Sequence, residues 1–143
     1  MRLELSSLQK AVTQLEEALK YADSDLARSD PHLALHLRAA TIQAFEYTYE
    51  LSHKMLRHHL ENVDPNPGAI SDLDFSGLIR AGLARGLLSE DLRAWRDFRQ
   101  NRGATSHTYD EAKAQEVFAK IPRFLSEAKF LLTRIQAEQS RPS

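Results

Sequence analysis

The chain has no cysteine among its 143 residues. Disulfide staples and thiolate metal sites are thereby excluded, and a reducing, cytoplasmic setting is the expectation. Glycine and proline are scarce, five of each, so few positions force regular structure to break. Neither sign of charge is in excess: 19 basic and 20 acidic side chains give a net charge of -1. A surface given over wholesale to nucleic acid would be strongly positive, so any contact with RNA has to be a local patch. No apolar run approaches the roughly 20 residues that span a bilayer, and the opening MRLELSSLQKAVTQLEEALK lacks the apolar block of a signal peptide. A membrane role is not expected.

What is present fits one folded domain over 1–143: 42% hydrophobic and 27% charged residues, enough to bury a core without staples. The apolar residues repeat at helical spacing throughout, and no segment alternates as a strand does. The reading is an all-α, up-and-down bundle of about five helices. Leu5, Leu8, Val12, Leu15, Leu19, Ala22 and Leu26 step by threes and fours, which predicts a first helix over 3–26. Ser29-Asp30-Pro31 ends it and offers an N-cap with proline at the next start. A long second helix, about 32–61, carries two apolar stripes, which marks it as the central helix or a dimer interface.

Residues 62–72 hold two prolines and a glycine and read as a loop. Asp74 then caps a short helix from Phe75 to Arg85, stopped by Gly86. Ser89-Glu90-Asp91 starts a fourth helix that continues to about Arg102. Thr108 and Glu111 have capping-box spacing, so the last helix is expected to begin near Thr108, with Pro122 inside it. The end of the chain, 137–143, reads as a frayed tail.

The segment with chemical potential is Arg102-Gly-Ala-Thr-Ser-His107-Thr-Tyr109. Arg102 lies in line with Trp95 on a face that otherwise reads as buried. Positions five apart in a helix diverge by about 140°, so Arg102 and His107 converge only if the helix ends between them. Gly103 and the capping box both suggest that it does. A histidine near neutral pKa can take a proton from a ribose 2′-hydroxyl, and a fixed arginine can hold the phosphate. That pair describes RNA cleavage without a metal. By spacing alone the signal is weak, and a histidine that merely caps a corner is the commoner outcome.

Glu46 and Glu50 are one turn apart on the polar strip of the second helix. They can hold Arg99 or Arg102 from a neighbouring helix, or form a solvated strip with a Glu50–Lys54 pair. A metal site there lacks a second carboxylate-bearing helix, so no metal is expected, nor is any cofactor. His32 and His36 have no third ligand and read as surface residues.

Two stretches, Phe45-Glu-Tyr-Thr-Tyr-Glu-Leu-Ser-His-Lys-Met-Leu56 and Asn101-Arg-Gly-Ala-Thr-Ser-His-Thr-Tyr-Asp-Glu111, resemble the nucleotidyltransferase substrate-binding proteins. These are a branch of the HEPN superfamily that includes the HepT-type toxins. The resemblance covers roughly 3–136, and its second stretch is the family's R-x4-H-x-Y motif. It implies a helical bundle that forms a homodimer and pairs with a minimal nucleotidyltransferase, as a toxin–antitoxin-like module. It implies two roles. One is a substrate-binding subunit for that transferase, presenting RNA or a nucleotide. The other is a ribonuclease toxin with catalytic Arg102 and His107, silenced by adenylylation of Tyr109. A purely structural helical dimer is the third reading. The chain departs from the family pattern at Gly103, where a polar residue is common, and at His53, where an aromatic residue, often Trp, is common.

Overall fold

The computed structural model describes residues 4–140, and among them there is no strand. Leu3, expected to open the first helix, lies outside the described residues. The elements are α1 (Ser6–Ala22), α2 (Asp25–Ser29), α3 (Pro31–Val63), α4 (Pro67–Ser71), α5 (Phe75–Ala84), α6 (Leu92–Ala104), a 3-10 turn (Thr105–His107) and α7 (Glu111–Gln139). Five longer helices thus stand where the spacing predicts them, with two single-turn helices added between.

The first addition corrects the expected helix over 3–26. Ser24 leaves the helical region and its side chain accepts the N–H of Ala27, which starts α2. Leu26 therefore leaves the buried stripe and is 67% exposed. Its periodicity was continued across a break that only the backbone reveals. The second addition falls in 62–72, where Pro67 opens the short α4 and Ile70 is buried beneath it.

α3 is the central helix, packed against α1, α2, α4, α5, α6 and α7. Its start follows the expected rule. Asp30 accepts the N–H groups of His32 and Leu33, and Pro31 occupies the first turn. Asp74 caps α5 through the N–H of Gly77, and Gly86 ends it at φ +79, where a side chain would be strained.

The core between α3, α6 and α7 is aromatic. Phe45, Trp95, Phe98 and Phe124 are buried, and their rings meet edge to face: Phe45–Phe124 at 5.2 Å, Phe98–Phe124 at 5.3 Å and Trp95–Phe98 at 5.4 Å. Each ring contributes on the order of 2–3 kcal/mol by leaving water. This cluster sets α6 against α3 and so fixes where Arg102 emerges.

One buried carboxylate completes the core. Glu127 of α7 is 1% exposed and accepts from the N–H of Ser89, the hydroxyl of Ser89, the N–H of Glu90 and the indole Nε1–H of Trp95. Ser89 and Glu90 are therefore not the cap of α6. Asp91 is, accepting the N–H of Ala94 at 2.9 Å.

Glu138, expected in the frayed tail, is also engaged: it accepts from Arg85 Nε at 2.8 Å and lies 3.2 Å from Nε2 of the buried His59. Burial opposes the charge of Glu138, but the hydrogen bonds from Arg85 and His59 outweigh it and hold the carboxyl below its usual range. Residues 141–143 of the expected tail lie outside the described residues.

Candidate functional site

The α-helix ends between Arg102 and His107, as expected, one residue past Gly103. It runs through to Ala104 and tightens into the 3-10 turn at Thr105–His107. Nothing lies within 4 Å of the position a Gly103 side chain would take, so this glycine is not imposed by packing. The capping box does not form either. Asp110 caps α7, accepting from the N–H groups of Ala112 and Lys113, while Thr108 donates back to the carbonyl of Thr105. Glu111 instead takes a two-pronged bond from Arg38 of α3, at 2.7 and 2.8 Å. That bond lowers the carboxyl of Glu111 from its usual range. Tyr109 consequently sits in the turn before α7 rather than on its first turn.

Arg102 emerges beside α3 and is met there by two carboxylates. Its Nε lies 2.9 Å from Oε1 of Glu50, and its Nη2 lies 4.0 Å from Oε1 of Glu46. The short Nε contact is an ion pair without a hydrogen bond, because the N–H is not aimed along it; the buried Nε keeps no acceptor. Thr105 ties the group together: its hydroxyl is 2.8 Å from Oε2 of Glu46 and also from the carbonyl of Arg102. Glu50 thus meets Arg102 rather than Lys54. Arg99 joins neither carboxylate, and its guanidinium lies 4.8 Å from the centroid of the Phe75 ring.

His107 is exposed, at the outer end of the 3-10 turn, and no hydrogen bond joins it to Arg102 among the described residues. Its ring meets that of Tyr109 edge to face at 6.2 Å, and Tyr109 is 87% exposed. The two motif rings are therefore neighbours on open surface, and neither lines the groove beside Arg102.

Beside Arg102 lies an open groove of about 480 Å³, walled by Tyr49, His53, Phe75, Arg57, Arg99 and Glu50. Tyr49, His53 and Phe75 form a run of near-parallel rings, with interplanar angles of 20° and 8°. Burial lowers the pKa of His53; Arg57 and Arg99 add to this and Glu50 opposes it. Burial likewise pushes the Tyr49 phenol up to about 12. Arg57 is occupied with the carbonyls of Ile70 and Leu73 at 2.9 and 3.1 Å, which pins the loop carrying Phe75. Neither the ring stack nor the Arg57 brace is visible as local spacing, since each joins α3 to a distant segment.

No group of three or more His, Asp or Glu is placed to hold a metal ion among the described residues. No helix among them is long and apolar enough to cross a membrane.

Residues 3–137 match the family described as nucleotidyltransferase substrate binding protein like. The chain is 36% identical over 137 residues to the probable ribonuclease HepT of Haemophilus influenzae, covering 94% of this chain and 93% of that one. A solved Haemophilus influenzae structure, described as the fold of a substrate binding domain of a nucleotidyltransferase, superposes with a TM-score of 0.86 at 36% identity. It covers 93% of this chain and 99% of its own. A Thermus thermophilus structure superposes with a TM-score of 0.71 at 29% identity over 90% of this chain and 98% of its own. By the reach of the family match and by these relatives, the chain belongs to the nucleotidyltransferase substrate binding protein like family.

Proposed function

We propose that the protein is an endoribonuclease of the HepT kind that pairs with a minimal nucleotidyltransferase, with Arg102 and His107 as its catalytic residues and Tyr109 as its point of control. The observation that carries this is the state of Arg102. Its guanidinium is oriented by Glu50, with Glu46 and Thr105 alongside, yet its Nε–H has no acceptor. That Nε is buried, so a phosphate oxygen entering the groove would bond to the Nη groups of the partly exposed guanidinium.

In the proposed reaction His107 removes the proton from a ribose 2′-hydroxyl. The freed oxygen attacks the adjacent phosphorus, the bond from phosphorus to the 5′-oxygen breaks, and a 2′,3′-cyclic phosphate forms. Arg102 stabilises the charge that builds on the phosphoryl oxygens. The departing 5′-oxygen needs a proton from a second acid. A homodimer that brings two copies of the motif together would supply it from the other subunit's histidine.

Control follows from the position of Tyr109. If its phenol oxygen attacks the α-phosphorus of ATP within a partner transferase, AMP is attached and pyrophosphate leaves. The bulky anion would then stand beside His107, where RNA has to approach.

A second reading, a non-catalytic subunit that presents RNA or a nucleotide to the transferase, is favoured by one observation: Arg102 and His107 are not joined in a single chain. One experiment separates the two. The purified protein is incubated with single-stranded RNA in EDTA, as the parent chain and as Arg102→Ala and His107→Ala. Cleavage by the parent alone, with all three equally folded, supports the ribonuclease. No cleavage, with a tight complex with a minimal nucleotidyltransferase, supports the second reading. Mass spectrometry after co-expression with that transferase tests whether Tyr109 gains AMP.

A further inference from the structure

We infer that Arg93, Arg96 and Arg99 extend the line of Arg102 along α6 as a phosphate track that guides single-stranded RNA into the Arg102 groove. The choice of RNA rests on the ribonuclease reading above, but the track is tested by binding and not by cleavage.

Four arginines recur at every third residue of α6. Three residues of helix rise about 4.5 Å and turn back about 60°, so over about 14 Å the four side chains wind half a turn around α6, with Arg93 and Arg102 on opposite sides of it. Against these four stands one acid in α6, Asp97, and Lys120 binds it at 3.0 Å. A chain with a net charge of -1 thus concentrates positive charge on a single helix.

The track joins two concavities. Arg93 and Arg96, with Gln100 and Arg123, line one of about 430 Å³. Arg99 and Arg102 line the ring-walled groove of about 480 Å³. The acids around the first concavity are already engaged. Asp91 caps α6, Asp97 holds Lys120, and Glu90 is bound by Arg123. Arg93 is exposed and has no ion-pair partner among the described residues, and Arg96 touches only the hydroxyl of Ser76 at 3.3 Å. Neither is needed to hold the fold.

The second concavity selects the form of nucleic acid. The rings of Tyr49, His53 and Phe75 stack on one another along its wall, and the Arg99 guanidinium lies over Phe75. A positive path beside stacked rings suits a strand whose bases are unpaired. A duplex keeps its bases inside and would meet only the charges.

The test is fluorescence polarisation of a labelled 12-nucleotide single-stranded RNA against the full chain over rising KCl. His107→Ala serves as the parent, so that the RNA stays intact. The logarithm of affinity should fall linearly with that of salt, by about 0.7 for each phosphate engaged. Arg93→Gln with Arg96→Gln should weaken binding and reduce that slope by about 1.4. Phe75→Leu should weaken binding several-fold while leaving the slope alone. Circular dichroism checks folding, and the single Arg93→Gln replaces the double variant if that one is destabilised.

An unchanged slope in the arginine variants overturns the track. So does equal affinity for a blunt RNA duplex, or no binding of RNA by the parent. Failure of the wild-type chain to cleave RNA, with the slope effect intact, removes the ribonuclease reading and leaves the track standing.

Discussion

Arg102 and Glu50 face each other across α6 and α3 with 2.9 Å between Nε and Oε1, yet the N–H points off that line and stays without an acceptor. The carboxylate positions the guanidinium without saturating it. Glu50 is largely exposed, so the pair contributes little to stability. Glu50→Gln should leave the melting temperature nearly unchanged and, under the proposed ribonuclease activity, reduce RNA cleavage on the order of tenfold, through loss of aim. Calorimetry and initial rates check it, and unchanged rates would show that Glu50 does not orient Arg102.

Glu127 receives hydrogen bonds from two backbone N–H groups, a hydroxyl and the indole of Trp95. A glutamine there accepts through one oxygen only and turns an NH2 toward donors. Glu127→Gln should cost about 3 kcal/mol in urea unfolding. Trp95 is the one tryptophan in the chain, so its fluorescence reports the change directly.

His53 has a pKa below its ordinary 6.5, first because it is buried and then because Arg57 lies near. The folded state therefore favours the neutral ring. The stability this provides is complete above pH 6.5 and is lost as the pH falls through 6.5 toward the lower folded value. The melting temperature should drop between pH 7 and 5, and His53→Gln should flatten part of that drop. In an NMR titration the His53 ring should change charge below pH 6.5.

Gly103 faces open space inside α6. Gly103→Asn should fold normally, with stability within about 0.5 kcal/mol of the parent, because both residues are modest helix formers. If the family's usual polar residue contacts substrate, this variant should bind single-stranded RNA more tightly, read by polarisation. Equal binding would show that the glycine costs the site nothing.

How much of this could be read in the sequence depended on range. The steps of Leu8, Val12 and Leu15, and of Val117, Ile121, Ala128 and Ile135, place helices because burial repeats with the helical turn. Caps were half legible. Asp30 and Asp74 act as expected, but Thr108 lost to Asp110 because Glu111, its supposed partner, is held by Arg38 from α3. Tertiary pairs leave no local trace. His59 with Glu138, Trp95 with Glu127, and the His53–Phe75 stack each join positions far apart in the chain. The corner of Arg102, His107 and Tyr109 was legible as a motif, whereas the direction of each group depended on where α6 stops, two residues beyond Arg102.

The fork from Arg38 to Glu111 has a geometric consequence for that corner. With α7 fastened to α3 at its first residue and Arg102 set against α3 on the other side, the eight residues between are a short bridge with both abutments fixed. Such a bridge cannot lengthen to make room. Anything attached to the Tyr109 oxygen has to extend outward or lie across the neighbouring imidazole, and no slackening of the backbone can tuck it away.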